Sequence, residues 1–178
     1  MKGLVRLQHL AVAVVMVTAA CSAAQNVSPN VGVSSNAPLG ASHIISNHGG
    51  KFSAAYTGTY SKSGDCSAEA FFDYEGNGNA KFLHSSSEQL SLTWYCFSPN
   101  VIGSATLTSV RHPGDSITAK VSSTDFKSPC YGFTMSFMVT GGTGRFQHAS
   151  GSGTMVVKRL GRKCIYSYSD KWSGTLKF

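Results

Sequence analysis

From Lys51 to Phe178 apolar and polar residues alternate in short runs, and this period of two limits the fold more than any other feature. Phe52, Ala54, Tyr56, Gly58 and Tyr60 alternate with Ser53, Ala55, Thr57 and Thr59. The same pattern recurs at Leu90–Trp94, Ile117–Val121, Phe133–Val139 and Trp172–Phe178. A residue that repeats every second position lies on one face of a strand, so each run predicts a strand with one buried side. No stretch after Lys51 carries a 3.6-residue stripe. Runs near Phe52, Ala68, Leu90, Ala105, Ile117, Phe133, Met155 and 165–178 predict about eight strands, separated by Gly, Pro, Asp and Asn. Strands at that spacing make an antiparallel sandwich or barrel. Roughly 130 residues support one core, so residues 49–178 are expected to form a single all-β domain.

The N-terminal part has a different texture. Lys2 and Arg6 precede an apolar run from Leu10 to Val17, and small residues lead to Cys21. That order is expected of a signal peptide (residues 1–20), and the run is too short to span a bilayer as a helix. Thr18-Ala19-Ala20-Cys21 resembles a bacterial lipobox, which implies lipidation of Cys21 as the mature N-terminus. Cleavage after Ala24 is the alternative and implies a freely secreted or periplasmic protein. Ser22 after the anchor favours the outer membrane by the same resemblance, facing the periplasm or the cell surface. Residues 21–48, rich in Ser, Asn, Ala, Gly and Pro, read as a flexible tether.

Removal or modification of Cys21 leaves Cys66, Cys96, Cys130 and Cys164, an even number that suggests two disulfides in an exported domain. Antiparallel pairing allows a test of which cysteines join. With Cys66 facing Cys96, Ala68 faces Trp94, Phe72 faces Leu90, and Glu88 lies on the inner face opposite Tyr74. With Cys130 facing Cys164, Phe137 faces Val157, Val139 faces Met155, and Met138 faces Val156. Met135 against Arg159 is a poorer match, which predicts a bulge near that hairpin's base. Apolar residues meet apolar ones in both hairpins, so Cys66–Cys96 and Cys130–Cys164 are the expected bridges. No CxxC or HxxxH spacing points to a metal, and no cofactor is expected.

Thr140–Thr154 is dense in glycine, with Phe146 as the natural plug beneath a folded-over connection. The run lacks the order of a phosphate loop. It resembles a TGGTGRFxGAxGxGT stretch of small secreted bacterial barrels related to the allene oxide cyclase and dirigent barrels. Thr140–Phe146 and Ala149–Thr154 fit it, while His148 stands where Gly is usual. The resemblance implies an eight-stranded antiparallel barrel and carries no reaction with it.

Candidate chemistry is sparse. Glu69, Asp73 and Glu75 read as a solvated strand face, and His43, His48, His84, His112 and His148 fall mostly in the tether or at turns. Glu88 is the carboxylate placed inside. Tyr56, Trp94, Phe137 and Trp172 are apolar-face aromatics that fill the core or line a small cavity with it. The chain carries +7, or +5 once Lys2 and Arg6 are discounted, and Lys158, Arg159, Arg162 and Lys163 form a basic cluster. Outside a cell such a cluster suits an anionic envelope component, while nucleic acid is not an expected partner. No catalytic constellation is evident. The first expectation is a non-enzymatic, lipid-anchored binding module of the envelope. A barrel enzyme of cyclase or dirigent type acting on a hydrophobic small molecule, and a lysozyme or protease inhibitor using a rigid Thr140–Gly153 loop, are the alternatives.

Overall fold

The computed structural model describes residues 48–128, 130–160 and 166–178. The expected signal peptide, Cys21 and the tether up to residue 47 lie outside them. Eight strands are present: β1 (Gly49–Ser63), β2 (Glu69–Ala80), β3 (His84–Tyr95), β4 (Val101–Ser109), β5 (Ser116–Ser123), β6 (Phe133–Thr143), β7 (Ser150–Arg159) and β8 (Ser167–Lys177). Each pairs antiparallel with its neighbour in sequence, and β8 returns to β1, so the sheet closes into a barrel without edges. A single 3₁₀ turn, Gly144–Phe146, is the helical element among the described residues. Every strand pairing closes within the described residues.

The alternation in the sequence becomes the two faces of the wall. On β1, Phe52, Ala54, Tyr56 and Tyr60 are buried while Ser53, Ala55, Thr57 and Thr59 are exposed. The pairing register differs from the expected one. Ala70, not Ala68, faces Trp94, and Glu88 faces Gly76 rather than Tyr74. In the β6–β7 hairpin Phe137 faces Gly153, Val139 faces Gly151, and Met138 faces Ser152. Both hairpins slip by an even number of residues, so every side chain keeps its predicted face. The physical reason lies in the cysteines. Cys66 precedes β2 and Cys96 follows β3, and Cys66 and Phe97 take positive φ values of 61° and 72°. The bridge therefore joins two loops, not two rungs of the ladder, and its position cannot index the register.

The Cys66–Cys96 disulfide is present, with Cα atoms 5.3 Å apart. Cys130 is also disulfide-bonded; Cys164, its expected partner, lies outside the described residues. The expected bulge at the base of β6–β7 is absent from the register there, and the irregularity falls between Thr118 and Ala119 on β5 against β6.

Register also defines two rims. One, the entry rim, holds the start of β1, the β2–β3, β4–β5 and β6–β7 turns, and Phe178. The far rim holds the other ends, with both described disulfide loops. The glycine hairpin plugs the entry rim. Phe146 is fully buried, its ring 4.6 Å from that of Phe178, and Arg145 lies over it. Arg145 Nε donates to Asp115 at 2.8 Å, and its guanidinium donates to the Phe82 carbonyl at 2.7 Å. Thr143 donates to the Gly114 carbonyl at 2.6 Å, so three turns are tied together. Gly144 has φ 59°, and a Cβ there would run into the Asp115 carboxylate. The loop thus folds onto the barrel instead of protruding. Phe126 plugs the far rim against Trp94, Phe133 and Phe72, with ring centroids 5.3, 4.7 and 6.1 Å away.

Candidate functional site

Between the two plugs, strands β1, β2, β3 and β8 direct polar groups to the barrel axis. Alternation on β3 brings Ser86 and Glu88 inward, and both are buried. The same period on β8 brings Tyr168, Asp170 and Trp172 inward. Closure of β8 onto β1 then sets Asp170 across from Tyr56. Glu88 is held at both oxygens: Tyr168 donates its hydroxyl to Oε2 at 2.8 Å, and the Trp172 indole donates to Oε1 at 3.0 Å. Ser86 donates to the His84 carbonyl at 3.1 Å, which leaves Tyr56 to donate to Ser86 Oγ at 2.9 Å. Room for the Tyr168 hydroxyl exists because position 76 is glycine; a Cβ there would overlap it.

Asp170 is the unusual member. It is 2% exposed, and neither carboxyl oxygen makes a well-formed hydrogen bond. Burial pushes its pKa up, and the negative charge of Glu88 pushes it further, to about 10. Burial also raises Glu88, while hydrogen bonds from its neighbours pull the other way. Glu88 holds a donor at each oxygen and Asp170 has no comparable one, so a proton shared by the pair is better placed on Asp170. Such a carboxylic acid can donate to Glu88, the one contact that two ionised carboxylates cannot make. Burial raises the hydroxyls of Tyr56, Tyr74 and Tyr168 as well, and Tyr74 Oη has no partner.

Of the expected cavity residues, Tyr56, Glu88 and Trp172 meet in this cluster. Phe137 lies next to it, with ring centroids 4.9 Å from Trp172 and 6.1 Å from Phe52. Trp94 does not join them: it sits half-buried at the far rim, its indole donating to the Ser98 carbonyl at 2.7 Å. Lys158 and Arg159 are also at the far rim, at the end of β7; Arg162 and Lys163 lie outside the described residues. Asp170, Tyr168 and Tyr74 were absent from the sequence-derived site. Extending the Trp172–Phe178 alternation back by two and four positions reaches Asp170 and Tyr168. Among the described residues no three His, Cys, Asp or Glu side chains gather as a metal site.

No family model matches the chain, and no curated protein matches it. A solved structure is similar: the pterocarpan synthase dirigent protein GePTS1, at TM-score 0.54 and 8% identity, over 80% of this chain and 97% of that one. The likeness is one of fold. The fold is a closed, eight-stranded antiparallel barrel, similar to that of a dirigent protein.

Proposed function

We propose that the protein is an exported binding module without catalytic activity, anchored by lipid at Cys21 or released by cleavage after Ala24, and working at an outer-membrane or periplasmic surface. The export part rests on the Lys2–Cys21 pattern and on the disulfide chemistry, which belongs to oxidising compartments. One observation carries the binding part. The barrel axis is occupied by its own side chains, from Phe126, Phe72, Tyr60 and Tyr74 through Tyr168 and Trp172 to Phe137, Phe52 and Phe146. A substrate would have to displace these rings, whereas grooves of several hundred Å³ run over the outer wall and the far rim. Recognition therefore falls to the outside of the barrel.

Native mass spectrometry of the mature protein from its own membrane tests this. The expected mass is that of the chain with a diacylglyceryl group on Cys21, two disulfides and no retained small molecule. A stoichiometric hydrophobic compound would overturn the non-enzymatic reading.

A second reading has one observation in its favour, the burial of Asp170 beside Glu88, which pushes the Asp170 carboxyl toward its neutral form. A buried acid kept neutral at physiological pH is suited to proton transfer, and the similar solved barrel bears the name of a synthase. It requires the aromatic plugs to open. Consumption of a candidate small molecule by the wild-type protein and not by D170N would support it.

A further inference from the structure

We propose that the far rim docks onto an anionic lipid surface, inserting apolar loop tips between headgroups held by its cations. The inference deepens the binding reading above by naming the ligand class. Four large apolar side chains are exposed in the loops of this rim: Phe97 at 93%, Tyr131 at 82%, Tyr166 at 59% and Leu160 at 41%. They come from three different connections, β3–β4, β5–β6 and β7–β8. The connections are linked to the frame: Phe126 donates its amide to the Pro99 carbonyl at 2.9 Å, and Leu160 donates to the Ser167 carbonyl at 3.0 Å. Soluble surfaces rarely collect apolar tips in this way.

Phe97 is the most telling. Its φ of 72° is a left-handed conformation that a bulky residue seldom adopts, and the ring is turned almost wholly to solvent. The neighbouring Cys96 bridge and the Ser98 amide donating to the Tyr95 carbonyl at 2.9 Å hold the tip in place. A tip fixed in advance can insert without paying an ordering cost.

Charge completes the argument. A groove of about 810 Å³ beside Tyr131 is lined by Lys127, Lys158 and Arg159, with Asp125 its one described carboxylate. Among the described residues the ion pair is Arg145–Asp115 at the other rim, so these three cations are not neutralised by a salt bridge. Aromatic and aliphatic tips with adjoining Lys and Arg match the interface of an anionic bilayer, where rings sit at headgroup level and cations meet phosphate.

Sedimentation of the exported chain carrying Cys21→Ser with vesicles tests the proposal without a lipid anchor. Binding to phosphatidylcholine vesicles containing 30% (about a third) phosphatidylglycerol is expected to exceed binding to pure phosphatidylcholine at least tenfold. F97S/Y131S and K158E/R159E should each lose about tenfold while their circular dichroism is unchanged. Equal binding to both vesicles, undiminished binding by either variant, or no binding at all would overturn it. Capture by soluble dextran sulfate without vesicle binding would also overturn it, leaving the binding-module reading intact with an anionic polysaccharide in place of lipid.

Discussion

Folding pushes Asp170 toward its protonated form, through burial first and the neighbouring Glu88 second. Its pKa rises from 3.8 to about 10, so the stability linked to it is complete below pH 4 and drains away as pH climbs toward 10. Glu88 is shifted in the same direction and adds to the trend. Melting temperature measured from pH 5 to pH 9 should therefore fall for the wild type, and D170N should flatten most of that slope, since a neutral amide has no proton to lose. At neutral pH D170N should melt no lower than the wild type. Gly76→Ala tests the same cluster through packing. The added methyl meets the Tyr168 hydroxyl and should destabilise by about 1–3 kcal/mol in chemical denaturation, by pushing that donor off Glu88.

Turns and hairpins carry the next level of control. The β6–β7 turn depends on Arg145, whose worth comes less from its half-exposed ion pair with Asp115 than from its bond to the Phe82 carbonyl and its cover over Phe146. Arg145→Ala should cost about 1–2 kcal/mol and raise amide exchange at Gly144–Ala149 before the barrel strands respond. The Cys66–Cys96 bridge closes a separation of 30 residues, and C66S/C96S should lose roughly 3.5 kcal/mol by denaturant titration in the chain-entropy model. Hairpins also mark where the sequence could be read and where it could not. Alternation placed Glu88, Tyr56, Phe137 and Trp172 on the inner face, because the period of a strand survives any even slip. The partner of Glu88 was not readable, because the cysteines used to align β2 with β3 sit in loops whose backbone leaves the ladder.

For the whole molecule, closure of β8 onto β1 is the event that completes both fold and site. These strands are separated by six others, and their pairing brings Asp170, Tyr168 and Trp172 to Glu88 across 80 residues or more. A chain ending before Ser167 would leave two open sheet edges and a buried Glu88 without its donors. It should show no cooperative thermal transition by circular dichroism, where the closed barrel shows one.

The order of apolar and polar residues alone determined an all-strand domain, the number of strands and the face of each side chain, because those depend on local geometry with a period of two. The glycine run likewise announced a plugged hairpin, since few residues tolerate such a turn. Register, the bulge on β5, the oxidised loops standing apart from the ladder, and the meeting of two acids on the axis were decided only in three dimensions. They depend on which strands close on which, and that is a property of contacts between residues far apart in the chain.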